Sequence, residues 1–364
     1  MSTLFDYLDW RGDLTFEQSD INEVDNLIFS MISYISFDGI LTEHTDKHPL
    51  SLLSVAKQYV RAHRGQTENI GLLLPYQLVQ LFARAAKTKR FGEVRMIGYT
   101  NEICEDEQMQ FSAVTFLTDN HKSFLAFRGT DDTLVGWKED FNMSFLHPVP
   151  AQLAAASYLE RMAKQTEGPI LLGGHSKGGN LAVYAAVEAT ASVKERIEAV
   201  YSNDGPGFTT DFIQSEAYLA TRDRIHTIVP QSSVIGMLLE HEEAYHVIQS
   251  SASGLFQHSG LSWQVQGPSF VHLDTVTEES RKIDRGLKKW FGEMTVEQRT
   301  LFIDSIYECL IAEDAKTLTD LNRNKRKLFR AWNQLDAESK AMVKRCVSIL
   351  LKEKSKFRKK NPPV

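Results

Sequence analysis

Cysteine is nearly missing from this chain. Cys104, Cys309 and Cys346 are scattered and odd in number among 364 residues. They exclude a disulfide framework, and no C-x-x-C pair marks a metal or redox site. Long apolar runs are missing too: no stretch of about 18 apolar residues occurs, so no membrane-spanning helix is expected. An excess of positive charge is also lacking. Lys and Arg number 41 against 47 Asp and Glu, a net charge of −6, which leaves no overall footprint for nucleic acid. The opening residues, MSTLFDYLDWRGDLTFEQ, turn acidic early and hold no apolar leader core, so no signal peptide is expected. Internal repeats and low-complexity tracts do not occur. Together these absences point to a reduced, cytoplasmic setting. What the chain does have is 42% hydrophobic and 10% aromatic residues, enough for a sizeable core. Its length exceeds one average domain of about 150 residues.

Composition divides the chain into three. Residues 1–90 read as helical, with apolar residues at helical spacing in INEVDNLIFSMISYISF and LLSVAKQYVRAHR. Residues 91–275 alternate short apolar runs with helical patterns. VRMIGYTNEI, FSAVTFLTD and SFLAFRGT are predicted strands, two hairpins that would give an antiparallel edge. AQLAAASYLERMAKQ is a predicted helix, PILLGG a strand, and NLAVYAAVEAT a helix. IEAVYSND, RIHTIVPQ and AYHVIQS are further strands. Strands joined by helical crossovers predict an α/β class with a mostly parallel sheet covered on both faces. Residues 276–364 read as helical again, with Thr295 ahead of Glu297–Gln298 as a helix start. From Ala341 onward eight Lys and Arg stand against Glu353 alone. A solvated helix face and frayed tail is the plain reading. Weak attraction to an anionic membrane surface is the sharper one, and no nucleic-acid partner is expected.

Residues 171–180, LLGGHSKGGN, contain the pattern G-x-S-x-G as Gly174-His175-Ser176-Lys177-Gly178. A predicted strand precedes it and a predicted helix follows, the context in which this motif lifts a serine hydroxyl above a sheet edge. A sharp reversal strains the apex residue and brings backbones close, which the flanking glycines allow. Competing motifs fail on spacing: no Gly-Lys-Ser/Thr for a P-loop, no G-x-G-x-x-G, and Gly179 where S-x-x-K needs lysine. A glycine-rich turn with an incidental serine is the plain alternative. About fifty residues upstream, SFLAFRGTDDTLVGWKEDF ends a strand in Phe127-Arg128-Gly129-Thr130, followed by Trp137 and Asp140. A tetrahedral intermediate needs two N–H donors for its oxyanion. The amides of Lys177 and Thr130 are placed to give them.

FRGT, Trp137 with Asp140, and GGHSKGG resemble the class 3 lipase group of the α/β hydrolases. More closely, the chain resembles the bacterial Mbeg1-like family of α/β hydrolases. WRGDL (Trp10–Leu14), NEVDNLIFS (Asn22–Ser30), FRGTDD, GGHSKGGN, NDGPGF (Asn203–Phe208) and QHSGLSW (Gln257–Trp263) carry that likeness along nearly the whole chain. It implies the α/β-hydrolase fold and a serine-hydrolase site, but no known substrate; the helical N- and C-terminal additions are expected to cap that site.

Ser176 needs an imidazole base, and in this fold the chain order is Ser, acid, His. His226 and His246 fall in predicted strands. HEEAYH is not a zinc motif, because its histidines stand about 140° apart around a helix. His258, in the polar loop SSASGLFQHSGLSW after the last predicted strand, is the expected base, with His246 and His272 next. The class 3 resemblance implies an aspartate after RIHTIVP, where this chain has Pro230-Gln231-Ser232-Ser233. Asp204, at the end of the strand after the nucleophile helix, is the expected substitute; a turn role in D-G-P-G is the alternative. Asp211 and Glu240 are weaker candidates. His175 is read as support for the turn, and Lys177 as acting through its amide.

The expected function is therefore a serine hydrolase that cleaves a carboxylic ester through an acyl-enzyme. It needs no metal or organic cofactor, and the resemblance implies lipid-like acyl esters. Met237 and Leu238 in GMLLEHEEAYHV could line an acyl pocket, buried core being the alternative. The rival reading is a hydrolase-fold module that binds or regulates without catalysis.

Overall fold

The structure, a computed structural model, describes residues 2–63, 76–131, 133–143, 146–292 and 295–311, with 330, 332–333, 335–341 and 343–344 near the end. The basic stretch 345–364, and with it the membrane-surface expectation, lies outside the described residues.

A short strand, β1 (Leu50–Ser51), forms within the segment read as helical; the predicted strands then follow in order: β2 (Arg95–Cys104), β3 (Met109–Leu117), β4 (Ser123–Phe127), β5 (Ile170–His175), β6 (Ile197–Asn203), β7 (Ile225–Pro230) and β8 (Tyr245–Ile248). A small hairpin, β9 (Val265–Gln266) with β10 (Ser269–Phe270), precedes β11 (His272–Leu273). Among the described residues, nine strands make one sheet in the order β1-β2-β3-β4-β5-β6-β7-β8-β11. β4 to β8 run parallel. The β2–β3–β4 hairpins supply an antiparallel edge, and β11 closes the far edge antiparallel to β8. The sequence reading ended the sheet at AYHVIQS; a two-residue strand such as β11 leaves no periodicity to detect.

Side-chain alternation explains why the central strands are apolar throughout. On β4, Phe124 and Ala126 face one core while Leu125 and Phe127 face the other. On β5, Leu171 enters the first core, and Ile170 and Leu172 the second. The first face is covered by the N-terminal helices, above all Glu23–Ile32. Phe29 of that helix packs its ring on Phe16, Phe91, Phe116 and Phe124. The second face is covered by helices Pro150–Gln165 and Lys177–Glu188.

Helix Glu23–Ile32 starts where Asn22 caps it. The Asn22 side chain accepts from the amides of Val24 and Asp25, and the Asp25 carboxylate accepts from the Asn22 amide at 3.0 Å. The same carboxylate is fully buried against Arg90, at 2.8 and 2.5 Å. Arg90 also donates to the carbonyls of Leu14, Thr15, Ser19 and Asp20 and lies 4.0 Å over the Phe16 ring. One guanidinium thus ties down the loop between the first two helices. Losing either partner of such a pair leaves an uncompensated buried charge, a cost of about 3–5 kcal/mol.

Thr295 does begin a helix, Val296–Ile311, by a reciprocal cap with Gln298. That helix rests on helix Leu134–Asn142, where Lys138 meets Asp304 at 2.8 Å and the ring of Tyr307 at 4.5 Å. Among the described residues no helix is long and apolar enough to cross a membrane. A central parallel sheet, helices on both faces, and a strand–serine–helix turn at its carboxyl edge make this an α/β-hydrolase fold.

Candidate active site

β5 is buried along its whole length and stops at His175. Ser176 then takes φ +58° and ψ −132°, a left-handed conformation rarely occupied by a side-chain-bearing residue. Two backbone bonds hold it there: the Ser176 amide donates to Asn203 O at 2.9 Å, and the Gly179 amide to Ser176 O at 2.9 Å. The flanking glycines are sterically required. A Cβ on Gly174 would lie 2.2 Å from the Gly178 carbonyl carbon, and one on Gly178 would lie 2.1 Å from Phe127 O. Asn203 steadies the base of the turn by donating to Gly174 O at 3.0 Å and exchanging hydrogen bonds with Asn26. The NEVDNLIFS stretch therefore acts partly through Asn26 beneath the elbow.

Asp204 follows β6 directly, at φ +51°. Its buried carboxylate is held by three donors. Oδ1 accepts from Ser233 Oγ at 2.5 Å and from the Gly236 amide at 3.1 Å. Oδ2 lies 2.7 Å from His258 Nδ1. A carboxylate only accepts, so the His258 Nδ1 carries the proton and Nε2 of the neutral ring is left bare. The Asp204 side chain is 1% exposed and that of His258 25%, so the pair is anchored inside and open at the imidazole. His258 ends the 3-10 turn Gly254–His258. Gln257 fixes that turn: its carbonyl accepts from Trp263 Nε1 at 2.9 Å, and its side chain from the Ser232 amide at 3.0 Å. The ring of His175, next to Ser176, lies 4.6 Å from that of His258, centroid to centroid.

The other candidates lie elsewhere. His226, on β7, stacks on Tyr201. His246 is exposed on β8 and packs against His272, which pairs with Glu23 at 2.9 Å. Asp211 is exposed, and Glu240 reaches Lys288 at 3.3 Å. No aspartate follows β7, but Ser233 in its place donates to Asp204, so the loop after β7 still reaches that carboxylate.

Thr130 and Lys177 are both more committed than their sequence positions imply. The Thr130 hydroxyl donates into the Asp140 carboxylate, 2.6 and 2.5 Å from its two oxygens. With Asp140 ionised that hydrogen is taken, and the amide is what Thr130 has left to offer an oxyanion. The Lys177 ammonium is buried, 2.8 Å from both the carbonyl and the side-chain oxygen of Gln110 and 3.0 Å from Glu139. Sequence reading missed Glu139, although GWKEDF sets two carboxylates side by side just after the FRGT strand.

Burial pushes the Asp140 carboxyl up to about 6. The charge of Lys177 and the Thr130 hydrogen bond pull it partly back, while Glu139 and Asp131 push the same way as burial. Below its ordinary 3.8, the folded and unfolded chains both hold this proton. Between 3.8 and about 6 only the fold keeps it, so this group's contribution to stability falls as pH rises through that window. Part of Asp140 is open to solvent, which screens the penalty to about 2 kcal/mol. Unfolding free energies from urea titrations should therefore shift by about that much in favour of Asp140→Asn over wild type on going from pH 4 to pH 7. An unchanged difference would place the ionisation elsewhere.

In HEEAYH the working residue is Glu243. Burial pushes its carboxyl up, but hydrogen bonds from His241, Thr227 and Tyr218, together with His241's charge, outweigh that and bring it to about 2. His241 Nε2 lies 2.9 Å from Gly236 O, which steadies the residue whose amide serves Asp204. Met237 packs into a small core cluster with Val229, Val247 and Val276. Leu238 is half-buried. Among the described residues no group of three or more His, Cys, Asp or Glu is arranged to hold a metal ion.

Solved structures with a similar chain course include lipases. The Rhizomucor miehei lipase propeptide complex is 12% identical at a TM-score of 0.36, covering 62% of this chain and 67% of that one. The M37 lipase is 15% identical at 0.36, covering 60% and 70%. A fungal lipase–inhibitor complex is 14% identical at 0.35, covering 55% and 78%. No curated protein matches the sequence. The Mbeg1-like family model matches residues 85–308, more than half of the chain and the whole stretch from FRGT to QHSGLSW. The chain belongs to the Mbeg1-like family.

Proposed function

We propose that this protein is a serine hydrolase that cleaves a carboxylic ester through an acyl-enzyme. The observation that carries the reading is the Asp204–His258 pair, a fully buried carboxylate 2.7 Å from Nδ1 of an imidazole that is open at its other face and packed beside the serine elbow. Ser176 Oγ attacks the ester carbonyl while His258 Nε2 takes its proton. The oxyanion is held by the amides of Thr130 and Lys177. His258 returns the proton to the departing alcohol, leaving an acyl group on Ser176. Water then attacks the acyl carbonyl and gives its proton to His258, which passes it to Ser176 Oγ as the acid is released. Asp204 keeps Nδ1 protonated throughout and stabilises the imidazolium.

For substrate, the reading favours a lipid-like acyl chain. Phe256, two positions before the base on the same turn, is 80% exposed, and an exposed apolar side chain gains by covering acyl carbons. Leu238 is the expected wall on the other side. The test is a series of p-nitrophenyl esters graded by acyl length, followed from the first turnover. A burst of one p-nitrophenol per chain, then slower steady release, with kcat/KM rising with chain length, is the expected result. No release from any ester would leave the fold as a binding module.

A further inference from the structure

The residue before the nucleophile does more than support a turn. The His175 ring is buried, with Nε2 2.6 Å from the backbone oxygen of His258 and Nδ1 3.0 Å from the Tyr34 hydroxyl. A carbonyl oxygen only accepts, so Nε2 carries the hydrogen and donates it to His258. Nδ1 is then bare and accepts from Tyr34. The Tyr34 hydroxyl also lies 3.2 Å from His175 O, but its single hydrogen goes to the bare Nδ1. Tyr34 lies two residues beyond helix Glu23–Ile32 and is itself buried.

We propose that His175 and Tyr34 are positioning residues for the catalytic base, a strut that sets the separation between the nucleophile elbow and the loop of His258. The inference rests on the hydrolase reading above. The strut holds the carbonyl of the base itself, one residue beyond the hold that Gln257 gives the loop. That loop is a single 3-10 turn beginning at Gly254, with φ +56° and open space around the Cα, and its Phe256 points to solvent. Asp204 fixes the imidazole of His258 but not its backbone; His175 fixes the backbone, from the residue bonded to Ser176. The strut also stays out of the proton transfer. Burial, with the His258 ring adding to it, brings His175 down to about 3, so it remains neutral while His258 gains and loses its proton. Tyr34 makes the N-terminal helical segment part of this arrangement.

The test compares His175→Gln, His175→Asn and Tyr34→Phe in the full chain, with wild type and Ser176→Ala as references. The amide nitrogen of glutamine reaches about where Nε2 sits, whereas that of asparagine reaches only the Nδ1 position. His175→Asn should therefore lower kcat about 100-fold with KM within about twofold, the cost of misplacing a catalytic group by about an ångström. His175→Gln should recover to within about tenfold of wild type. Tyr34→Phe, which removes only the tautomer lock, should lose roughly three- to tenfold in kcat at an unchanged melting temperature. Wild-type kcat in Tyr34→Phe and His175→Asn, or equal losses in Asn and Gln that follow their melting temperatures, would overturn the strut while leaving the hydrolase standing. Should His175→Asn not fold, Tyr34→Phe decides. Equal activity in wild type and Ser176→Ala would instead overturn the hydrolase reading itself.

Discussion

Ser176→Ala should lower ester turnover by about 10⁴- to 10⁶-fold and abolish labelling by a fluorophosphonate probe. The loss is large because the variant retains only binding and the oxyanion amides; no other hydroxyl stands on the elbow to form the acyl bond. The fold should survive. Alanine meets the same strain at φ +58° as serine, and the two backbone bonds of residue 176 to Asn203 and Gly179 remain. Mass spectrometry of the labelled chain and a thermal melt decide the matter together. Equal labelling of wild type and Ser176→Ala at equal stability would remove Ser176 from the chemistry.

Asp204→Asn should cost about 10⁴-fold in kcat, for a reason that this site makes specific. Oδ1 receives two hydrogens, from Ser233 Oγ and the Gly236 amide. An asparagine must therefore keep its oxygen there and turn its NH₂ toward His258 Nδ1. That nitrogen would have to become the acceptor, which moves the ring hydrogen to Nε2. A protonated Nε2 cannot take the proton of Ser176. The variant should fold, bind ester with little change in KM, and react slowly with the fluorophosphonate. Full activity in Asp204→Asn would place the acid elsewhere and reduce the buried pair to a structural role. Adding Ser233→Ala to Asp204→Asn should restore part of the rate, because the amide is then freer to flip.

Both predictions involve residues whose partners lie far apart in the chain, and that separation marks how much could be read from the sequence. The elbow was legible because its cause is local. Gly174, Ser176 and Gly178 lie within five residues, and the clashes that demand glycine arise where a strand reverses into a helix. The central strands were legible because burial on both faces leaves an unbroken apolar run. The Thr295 cap was legible because it closes within three residues. Lys177 was read only through its amide. Its ammonium finds Glu139 38 residues away, and nothing local announces that a lysine next to the elbow serine is buried. His175 was read as a support for the turn; that its ring reaches across 83 residues to the backbone of His258 is invisible to any local pattern.

The sequence by itself determined the α/β class, the run of strands and helices through the centre, and the position of the strained serine, since each follows from spacing, apolar periodicity and steric limits within a few residues. Only the tertiary structure decided which histidine and which carboxylate meet, that Ser233 and Gly236 steady the acid, that Asp25 and Arg90 clamp the N-terminal segment, and that Tyr34 reaches the elbow. The pairings at the serine elbow depend on the sheet bringing the ends of β4 to β8 to one edge. Hydrogen bonds and ion pairs act over about 3 Å, and no spacing along a chain encodes such a distance until the backbone has closed around it.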